Sequence, residues 1–289
     1  MTVCAILAVL LLGSCAGVRT TDLIPDIRPI GAGKAVIPVP AVTELKMLSA
    51  EDLHSRRLNR SDTISIIGVG DIMLGTNFPD PSYLPPNQGR GMLREVSPVL
   101  EQADVTFGNI EGVILNEGGD AKKCNDPSIC YIFRSPEYMA QRFVEAGFDV
   151  MSTANNHAGD FGDPGRRNTQ RVLDSLSITH AGQQNTPYAF FARKGLIFGF
   201  AAFSPNTGTM SINDIPGAAS IVAHLDSIAD IVIVSFHGGA EGSDYQHVTR
   251  ENELFYGENR GNVYAFSHAV IDAGADIVFG HGPHVTRAI

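Results

Sequence analysis

The chain has 289 residues, of which 44% are apolar, and a formal net charge of −10. This apolar content is enough to bury a substantial core, which excludes a disordered or fibrous protein. The acidic balance, with no Lys- or Arg-rich run, excludes the basic surface of a nucleic-acid-binding protein. An anionic ligand would need a local attractor, and a bound metal ion is one that an acidic protein can supply.

The first 17 residues, MTVCAILAVLLLGSCAG, form an apolar stretch that is too short to span a bilayer and is placed like the core of a signal peptide. Its end, LGSC (12–15), resembles a bacterial lipobox, in which small residues precede a Cys that is lipidated. We therefore predict a signal peptide over 1–15, lipidation of Cys15, and export to the periplasmic or extracellular face of the cell envelope. An ordinary signal peptide with a chance Cys is the alternative.

Residues 16–61 contain four prolines, scattered charges and no sustained hydrophobic period. This composition predicts a tether between the lipid anchor and the fold. One globular domain is predicted over 62–289.

Within this domain, short β-branched and apolar runs alternate with segments that carry apolar residues at helical spacing. The predicted strands lie within 63–74, 103–112, 148–157, 229–239 and 275–284, and the predicted helices within 90–102, 136–146, 164–176, 215–225 and 263–273. A β-hairpin is predicted at 188–204, where Arg193, Lys194 and Gly195 separate two apolar arms. The alternation predicts an α/β domain with helices on the faces of its sheet.

Two cysteines lie beyond the predicted signal peptide, Cys124 and Cys130, in a polar loop. Turn-forming residues between them let the two approach, and disulfides persist in exported proteins. We predict a disulfide, with two free thiols as the alternative. A metal site is disfavoured because the pair has no second pair of thiols to complete a tetrahedron.

Each of the five predicted strands ends in a cluster of Gly, Asn, Asp, Glu or His. The clusters are GD (70–71), GNIE (108–111), NNH (155–157), HGG (237–239) and GHGPH (280–284). The carboxyl ends of parallel strands form the ligand crevice of α/β sheets, so the clusters should converge on one edge. A lone Asp or Asn there is usually a turn former or helix cap. Caps do not need imidazoles, however, and four of the nine histidines lie in these clusters, which favours a metal site.

The order of these motifs resembles the metallophosphoesterase superfamily, in the branch of the CapA-type capsule (poly-γ-glutamate) biosynthesis proteins. The superfamily has D-x-H, G-D, G-N-H, a lone His and G-H-x-H. The modified pattern is seen here as GDIML, GNIEG, ANNHAGDFG, SFHGGAEG and GADIVFGHGPHV, over roughly 62–289. The resemblance implies a metallophosphoesterase-like β-sandwich flanked by helices (α/β/β/α). It also implies that the family's last strands are missing, because the chain stops five residues after His284.

The resemblance further implies roles for individual residues toward one or two divalent ions of Mn, Fe, Zn or Mg. The expected metal ligands are Asp71, Glu111 as a bridge, Asn156, His237, His281 and His284. His157 is expected to contact a leaving group, with Asp160 holding its ring. Glu241 and Asn109 are expected to contact substrate.

Two positions depart from the superfamily pattern. Met73 occupies the place of the His in D-x-H, and a thioether is a poor donor to hard divalent ions. The bridging carboxylate is Glu111 rather than an Asp. The ion bound by Asp71 should therefore be the weaker of the two.

Three functions remain open. The resemblance implies a CapA-like protein that acts in the synthesis, anchoring or export of an anionic envelope polymer. Its partners would be the polymer, the membrane through the lipid anchor, and membrane proteins of capsule synthesis. A metal-dependent phosphoesterase acting on an exported phosphate ester is the second hypothesis, and Met73 favours the first over it. The third is a non-catalytic polymer-binding scaffold that retains the motifs as turns.

Overall fold

The computed structural model describes residues 63–124 and 130–287, together with one short strand nearer the N-terminus. The strands are β1 (Ile27–Pro29), β2 (Ile66–Ile72), β3 (Val105–Ile110), β4 (Val113–Ile114), β5 (Arg134–Ser135), β6 (Val150–Ser152), β7 (Thr179–Ala181), β8 (Tyr188–Arg193), β9 (Leu196–Phe203), β10 (Ile231–His237), β11 (Leu254–Phe255), β12 (Glu258–Asn259) and β13 (Ile277–His281). The α-helices are α1 (Ser97–Leu100), α2 (Gln141–Glu145), α3 (Gly162–Ser175), α4 (Ile215–Asp226) and α5 (Val263–Asp272). Short 3₁₀ helices lie at Pro81–Tyr83, Pro86–Gly89, Glu137–Ala140 and Ser243–Tyr245.

Two main sheets face each other across an apolar core. The first sheet has the order β2–β3–β6–β7, and all its pairings are parallel. The second has the order β1–β8–β9–β10–β13, in which only β8 and β9 pair antiparallel. Phe107 and Val150 of the first sheet pack against Phe191, Phe198 and Phe200 of the second. These strands are apolar on both faces because helices cover the outer faces as well.

Helices form the outer layers of the sandwich. Leu173 of α3 and Phe143 of α2 are buried in the cluster on the outer face of the first sheet. Leu225 of α4 and Phe266 of α5 are buried in the equivalent cluster on the second sheet. The resulting order of layers, helix, sheet, sheet, helix, confirms the predicted α/β/β/α sandwich.

The predicted hairpin at 188–204 is confirmed as β8 and β9. Its turn residues, Lys194 and Gly195, have φ angles of 49° and 74°. Positive φ at both central positions is the signature of the tight turn that matches the twist of two paired strands.

The predicted helix at 90–102 is wrong over most of its length. The segment forms turns, and only Ser97–Leu100 is α-helical. Gly91 has a φ of 78°, outside the helical region, and Pro98 can be accommodated only in the first turn of a helix. The short strand β7, which pairs with β6, was not predicted.

Part of the predicted tether forms a strand, because Ile27–Pro29 pairs in parallel with β8. The predicted signal peptide, Cys15 and the rest of the tether lie outside the described residues. Within the described part of the chain, no helix is both long and apolar enough to cross a membrane.

Candidate metal centre

The carboxyl ends of four strands meet at one edge of the sandwich. Asp71 near the end of β2 lies opposite Asn109 of β3, after a register shift that begins at Gly68. In the other sheet, His237 ends β10 and lies opposite His281, which ends β13. Strand order and register therefore bring together residues that are far apart in sequence.

Three of the expected ligands form a compact group. Asp71, Glu111 and His237 each offer a ligand atom, and these atoms lie within 4.8 Å of one another. His237 Nδ1 is 3.3 Å from Asp71 Oδ1, and Asn109 donates a hydrogen bond of 2.6 Å to the same oxygen. Asn109, expected to contact substrate, is fully buried behind Asp71.

The environment of Asp71 favours its ionised form. Burial alone would raise the pKa of Asp71, but the hydrogen bond and charge of His237 and the amide of Asn109 outweigh burial. They hold the pKa well below its usual range. The backbone N–H of Gly282 also donates to Asp71 Oδ2, at 3.2 Å. The carboxylate is thus charged and fixed in direction, as a metal ligand must be.

His284 closes the group on the solvent side. Its Nε2 is 3.8 Å from both Asp71 Oδ2 and Glu111 Oε1, and its side chain is 54% exposed. The contact with Glu111 raises the pKa of His284, and this effect exceeds the opposing effect of partial burial. His284 has a φ of 54°, an uncommon backbone conformation for a residue with a side chain, and such positions cluster at functional sites.

His281 is oriented differently from the other expected ligands. Its Nε2 is 3.0 Å from the carbonyl oxygen of Val69, and its Nδ1 is 3.3 Å from that of Phe236. Burial lowers the pKa of His281, so the ring is neutral near pH 7 and donates to one carbonyl at a time. In this structure the ring faces the main chain of both sheets rather than the carboxylates.

Two further atoms at this edge are buried without a hydrogen-bond partner among the described residues, Asn156 Oδ1 and His237 Nε2. Leaving a buried polar atom unpaired costs about 1–3 kcal/mol. Gly282 makes room beside His237 Nε2, because a Cβ at that position would lie 3.0 Å from it. A set of carboxylate, amide and imidazole donors suits a divalent ion of the Mg, Mn, Fe or Zn type. The residues present therefore fit such an ion.

His157 and Asp160 form a buried pair next to the carboxylates. His157 Nδ1 is 2.8 Å from Asp160 Oδ2, and His157 Nε2 is 3.9 Å from Glu111 Oε1. Asn155 fixes the turn, because its side chain accepts from the N–H of His157 and donates to the carbonyl oxygen of Ile110. The imidazole is therefore anchored at Nδ1 and presents Nε2 toward the site.

Glu241, expected to contact substrate, is held by a residue that sequence reasoning missed. Its carboxylate forms an ion pair with Arg260, whose side chain is only 4% exposed. Glu241 Oε2 also lies 3.9 Å from His284 Nδ1. Arg260 follows a short two-stranded hairpin, β11 and β12, and no motif in the sequence marks it.

Met73 and the two cysteines are not part of the compact group formed by Asp71, Glu111 and His237. Met73 is 41% exposed, and its sulfur accepts a hydrogen bond from the N–H of Gly75. A disulfide joins Cys124 and Cys130, which confirms the predicted pairing. Lys122, two residues before Cys124, has its Nζ 2.7 Å from Asp160 Oδ1, a second contact that sequence reasoning missed.

Comparisons with known proteins link the chain to capsule synthesis. Residues 65–289 match the family model described as bacterial capsule synthesis protein PGA_cap. The capsule biosynthesis protein CapA of Bacillus anthracis is 27% identical over 248 residues, which are 79% of this chain and 56% of that protein. The PGA biosynthesis protein CapA of Bacillus subtilis (strain 168) is 26% identical over 249 residues, 79% of this chain and 59% of that protein.

The chain thus spans little more than half the length of these relatives. A Staphylococcus aureus protein provisionally named a 5′-nucleotidase has a crystal structure that covers 74% of this chain and 44% of its own, with a TM-score of 0.40 and 15% identity. That similarity is too distant to bear on function. The match to the family model extends over most of the chain, and the chain therefore belongs to the bacterial capsule synthesis protein family PGA_cap.

Proposed function

We propose that this protein takes part in the synthesis, anchoring or export of an anionic envelope polymer and that it uses a divalent-metal site to do so. Membership of the capsule synthesis family supports the process. The observation that carries the metal site is the group formed by Asp71, Glu111 and His237, whose ligand atoms lie within 4.8 Å of one another.

The proposed ligands are those expected from the motifs: Asp71, Glu111, Asn156, His237, His284 and, after its ring turns away from the carbonyl of Val69, His281. A bound divalent ion would supply the positive charge that an acidic protein otherwise lacks for attracting carboxylate or phosphate oxygens. Asn109 and the N–H of Gly282 would keep the Asp71 carboxylate in place.

A second candidate function, hydrolysis of an exported phosphate ester, is favoured by the geometry of His157. Asp160 accepts a hydrogen bond from Nδ1 of His157, so Nε2 is the ring atom that would carry a proton to a leaving oxygen. Nε2 points to the side of the site on which Glu111 lies. Met73 weighs against this candidate, because one ion would have fewer nitrogen ligands than in a complete superfamily site.

We also propose that the protein is an exported lipoprotein anchored through Cys15, since the apolar segment that precedes Cys15 has the length and position of a signal peptide. An envelope location would place the domain beside a polymer that is exported or anchored at the membrane.

The metal proposal is tested by elemental analysis of the purified protein and by calorimetric titration of the chelator-treated protein with Mn²⁺. Glu111→Gln keeps the shape of the side chain and removes its charge, so we expect affinity to fall by at least about tenfold. His268→Ala is the matched control, because His268 is exposed on α5 outside the candidate site. Wild-type protein that is folded and binds no Mn²⁺, or equal binding by Glu111→Gln, would contradict the proposal.

Polymer binding and hydrolysis are separated by two further measurements. Co-sedimentation with poly-γ-glutamate, with and without Mn²⁺, tests binding, and an aryl phosphate monoester and diester test hydrolysis. Metal-dependent binding without hydrolysis supports the first proposal. A measurable rate that His157→Ala abolishes while metal stays bound supports the second. Binding that is unaffected by a chelator supports a metal-free scaffold.

A further inference from the structure

A lysine outside the strand-end motifs contacts the buried His157–Asp160 pair. Lys122 Nζ lies 2.7 Å from Asp160 Oδ1 and 3.3 Å from His157 Nδ1. The Asp160 side chain is 0% exposed and that of Lys122 is 28% exposed. The other oxygen of Asp160 accepts from the backbone N–H of Phe133 at 2.7 Å and faces His157 Nδ1 at 2.8 Å. Lys122 is therefore the cation paired with a carboxylate that is withdrawn from water.

A carboxylate at this depth has lost hydration that a positive charge and hydrogen bonds must replace. Lys122 supplies the charge at Oδ1, which leaves Oδ2 to accept from the ring of His157. An ionised acceptor forms a stronger hydrogen bond than a neutral one. Of the two groups that face His157 Nδ1, Asp160 Oδ2 is the nearer, at 2.8 Å against 3.3 Å for Lys122 Nζ, and it is the one that can accept a hydrogen. The arrangement thus favours the tautomer of His157 that carries its hydrogen on Nδ1 and leaves Nε2 toward Glu111 without one.

The position of Lys122 depends on its own segment of the chain. Its backbone N–H donates to the carbonyl oxygen of Asp160 at 2.8 Å, and the disulfide between Cys124 and Cys130 begins two residues later. On the far side of the disulfide, the ring of Phe133 packs on the ring of His157 with centroids 4.3 Å apart. The two flanks of a covalently closed segment therefore contact the same imidazole and its carboxylate partner.

We propose that Lys122 is a positioning residue: it binds Asp160 Oδ1, holds Oδ2 against His157 Nδ1 and so fixes the ring of His157 with Nε2 toward the metal centre, and the disulfide holds Lys122 in place. The role of His157 in catalysis rests on the proposed function. The arrangement of Lys122, Asp160 and His157 is independent of the proposed function, because no metal ligand takes part in the contacts among these three residues.

The test is the tautomer of His157, read from nitrogen shifts in long-range ¹H–¹⁵N spectra of the whole, metal-free protein at a fixed pH. We expect the Nδ1–H form in the wild type. In Lys122→Met, Asp160 Oδ2 is no longer held against Nδ1, so the ratio of Nδ1–H to Nε2–H forms should fall by about tenfold, the scale of one charge-assisted hydrogen bond. Lys122→Arg should restore the wild-type ratio, and Cys124→Ser with Cys130→Ser should resemble Lys122→Met.

Lys123→Met is the matched control, because Lys123 is the next residue and its side chain is exposed. An unchanged His157 tautomer in folded Lys122→Met, or an equal change in Lys123→Met, would overturn the proposal. Lys122→Gln, which keeps an N–H donor without the charge, gives the same comparison where Lys122→Met does not fold. Mn²⁺ titration of Lys122→Met should match the wild type, so failure of the metal proposal and failure of this one give different results.

Discussion

Replacing Glu241 by Gln removes one half of a charge pair beside the candidate metal centre. Its partner Arg260 has a side chain that is 4% exposed, and the second acceptor for that guanidinium, Glu258, is 3.2 Å away and 59% exposed. Glu241→Gln therefore leaves a deeply buried cation that faces a neutral amide oxygen, the exposed carboxylate of Glu258 and the ring of Phe255. The reciprocal change, Arg260→Met, leaves a carboxylate that is 21% exposed and can be hydrated. The two substitutions should have unequal costs.

Removing one partner of a buried ion pair costs about 3–5 kcal/mol. Glu258 offsets part of this cost for Arg260, so we expect Glu241→Gln to lower the free energy of unfolding by about 3 kcal/mol. Arg260→Met should lower the free energy of unfolding by about 1–2 kcal/mol, because water can hydrate the unpaired carboxylate of Glu241 more easily than the unpaired guanidinium of Arg260. In a domain of this size 1 kcal/mol corresponds to about 2–4 °C, so the expected drops in Tm are roughly 6–12 °C and 2–8 °C.

Thermal and urea unfolding of the wild type, both single variants and the double variant would measure these costs, with a chelator present so that metal binding does not contribute. Glu258→Gln is the control and should change stability by less than about 1 kcal/mol. A Glu241→Gln variant as stable as the wild type, or more stable than Arg260→Met, would refute the reasoning. It would also leave Glu241 free to contact substrate, as the sequence motif suggested.

Three further predictions concern other parts of the chain. Met73→His should restore a nitrogen ligand beside Asp71 and raise the affinity for the more weakly bound of two ions by at least about tenfold in calorimetric titration. A folded Met73→His variant with unchanged metal affinity would show that the ligand assignment is wrong. Cys15→Ser should move the protein from the membrane fraction to a soluble or unprocessed form, and unchanged partition would remove the lipid anchor. Burial would raise the pKa of Glu253, but its hydrogen bonds with Arg287 outweigh burial and lower that pKa. The pair with Arg287 should therefore stabilise the fold fully above pH 4.5, and this stabilisation should decrease as the pH falls below 4.5. Glu253→Gln should remove that part of the acid sensitivity of urea unfolding, and an unchanged pH dependence would contradict it.

The strand-end residues were predictable because their placement follows from local rules. Asp71, Glu111 and His237 each lie at or just beyond the carboxyl end of a strand. Parallel strands bring such residues to one edge of a sheet whatever the details of packing. The hairpin turn at Lys194 and Gly195 was predictable for a similar reason, since it is a property of adjacent residues. The fold class and the closeness of the candidate ligands therefore follow from patterns a few residues long.

Other contacts depend on tertiary packing that no short pattern records. Arg260 reaches Glu241 from a separate hairpin, and Lys122 reaches Asp160 across 38 positions of the sequence. The ring of His281 is turned by the carbonyl of Val69, which belongs to the opposite sheet. The failed helix at 90–102 shows the converse limit, because its apolar spacing is helical while Gly91 and Pro98 forbid a continuous helix.

The candidate metal centre straddles the seam between the two sheets. Asp71 and Glu111 come from the first sheet, whereas His237 and His284 come from the second. If one sheet slid along the other by one residue, the ligands would move by about 3.3 Å, which is more than the length of a metal–ligand bond, about 2.0–2.2 Å. Such a movement would break the coordination. An ion bound here would therefore oppose sliding of one sheet along the other. The packing between the sheets would in turn set the affinity for that ion. Phe107 packs against Phe200 across the seam and against the ring of His281, with centroids 5.6 Å and 5.5 Å apart. Loosening these ring contacts should therefore weaken metal binding, and bound metal should slow amide exchange along the strands that flank the seam.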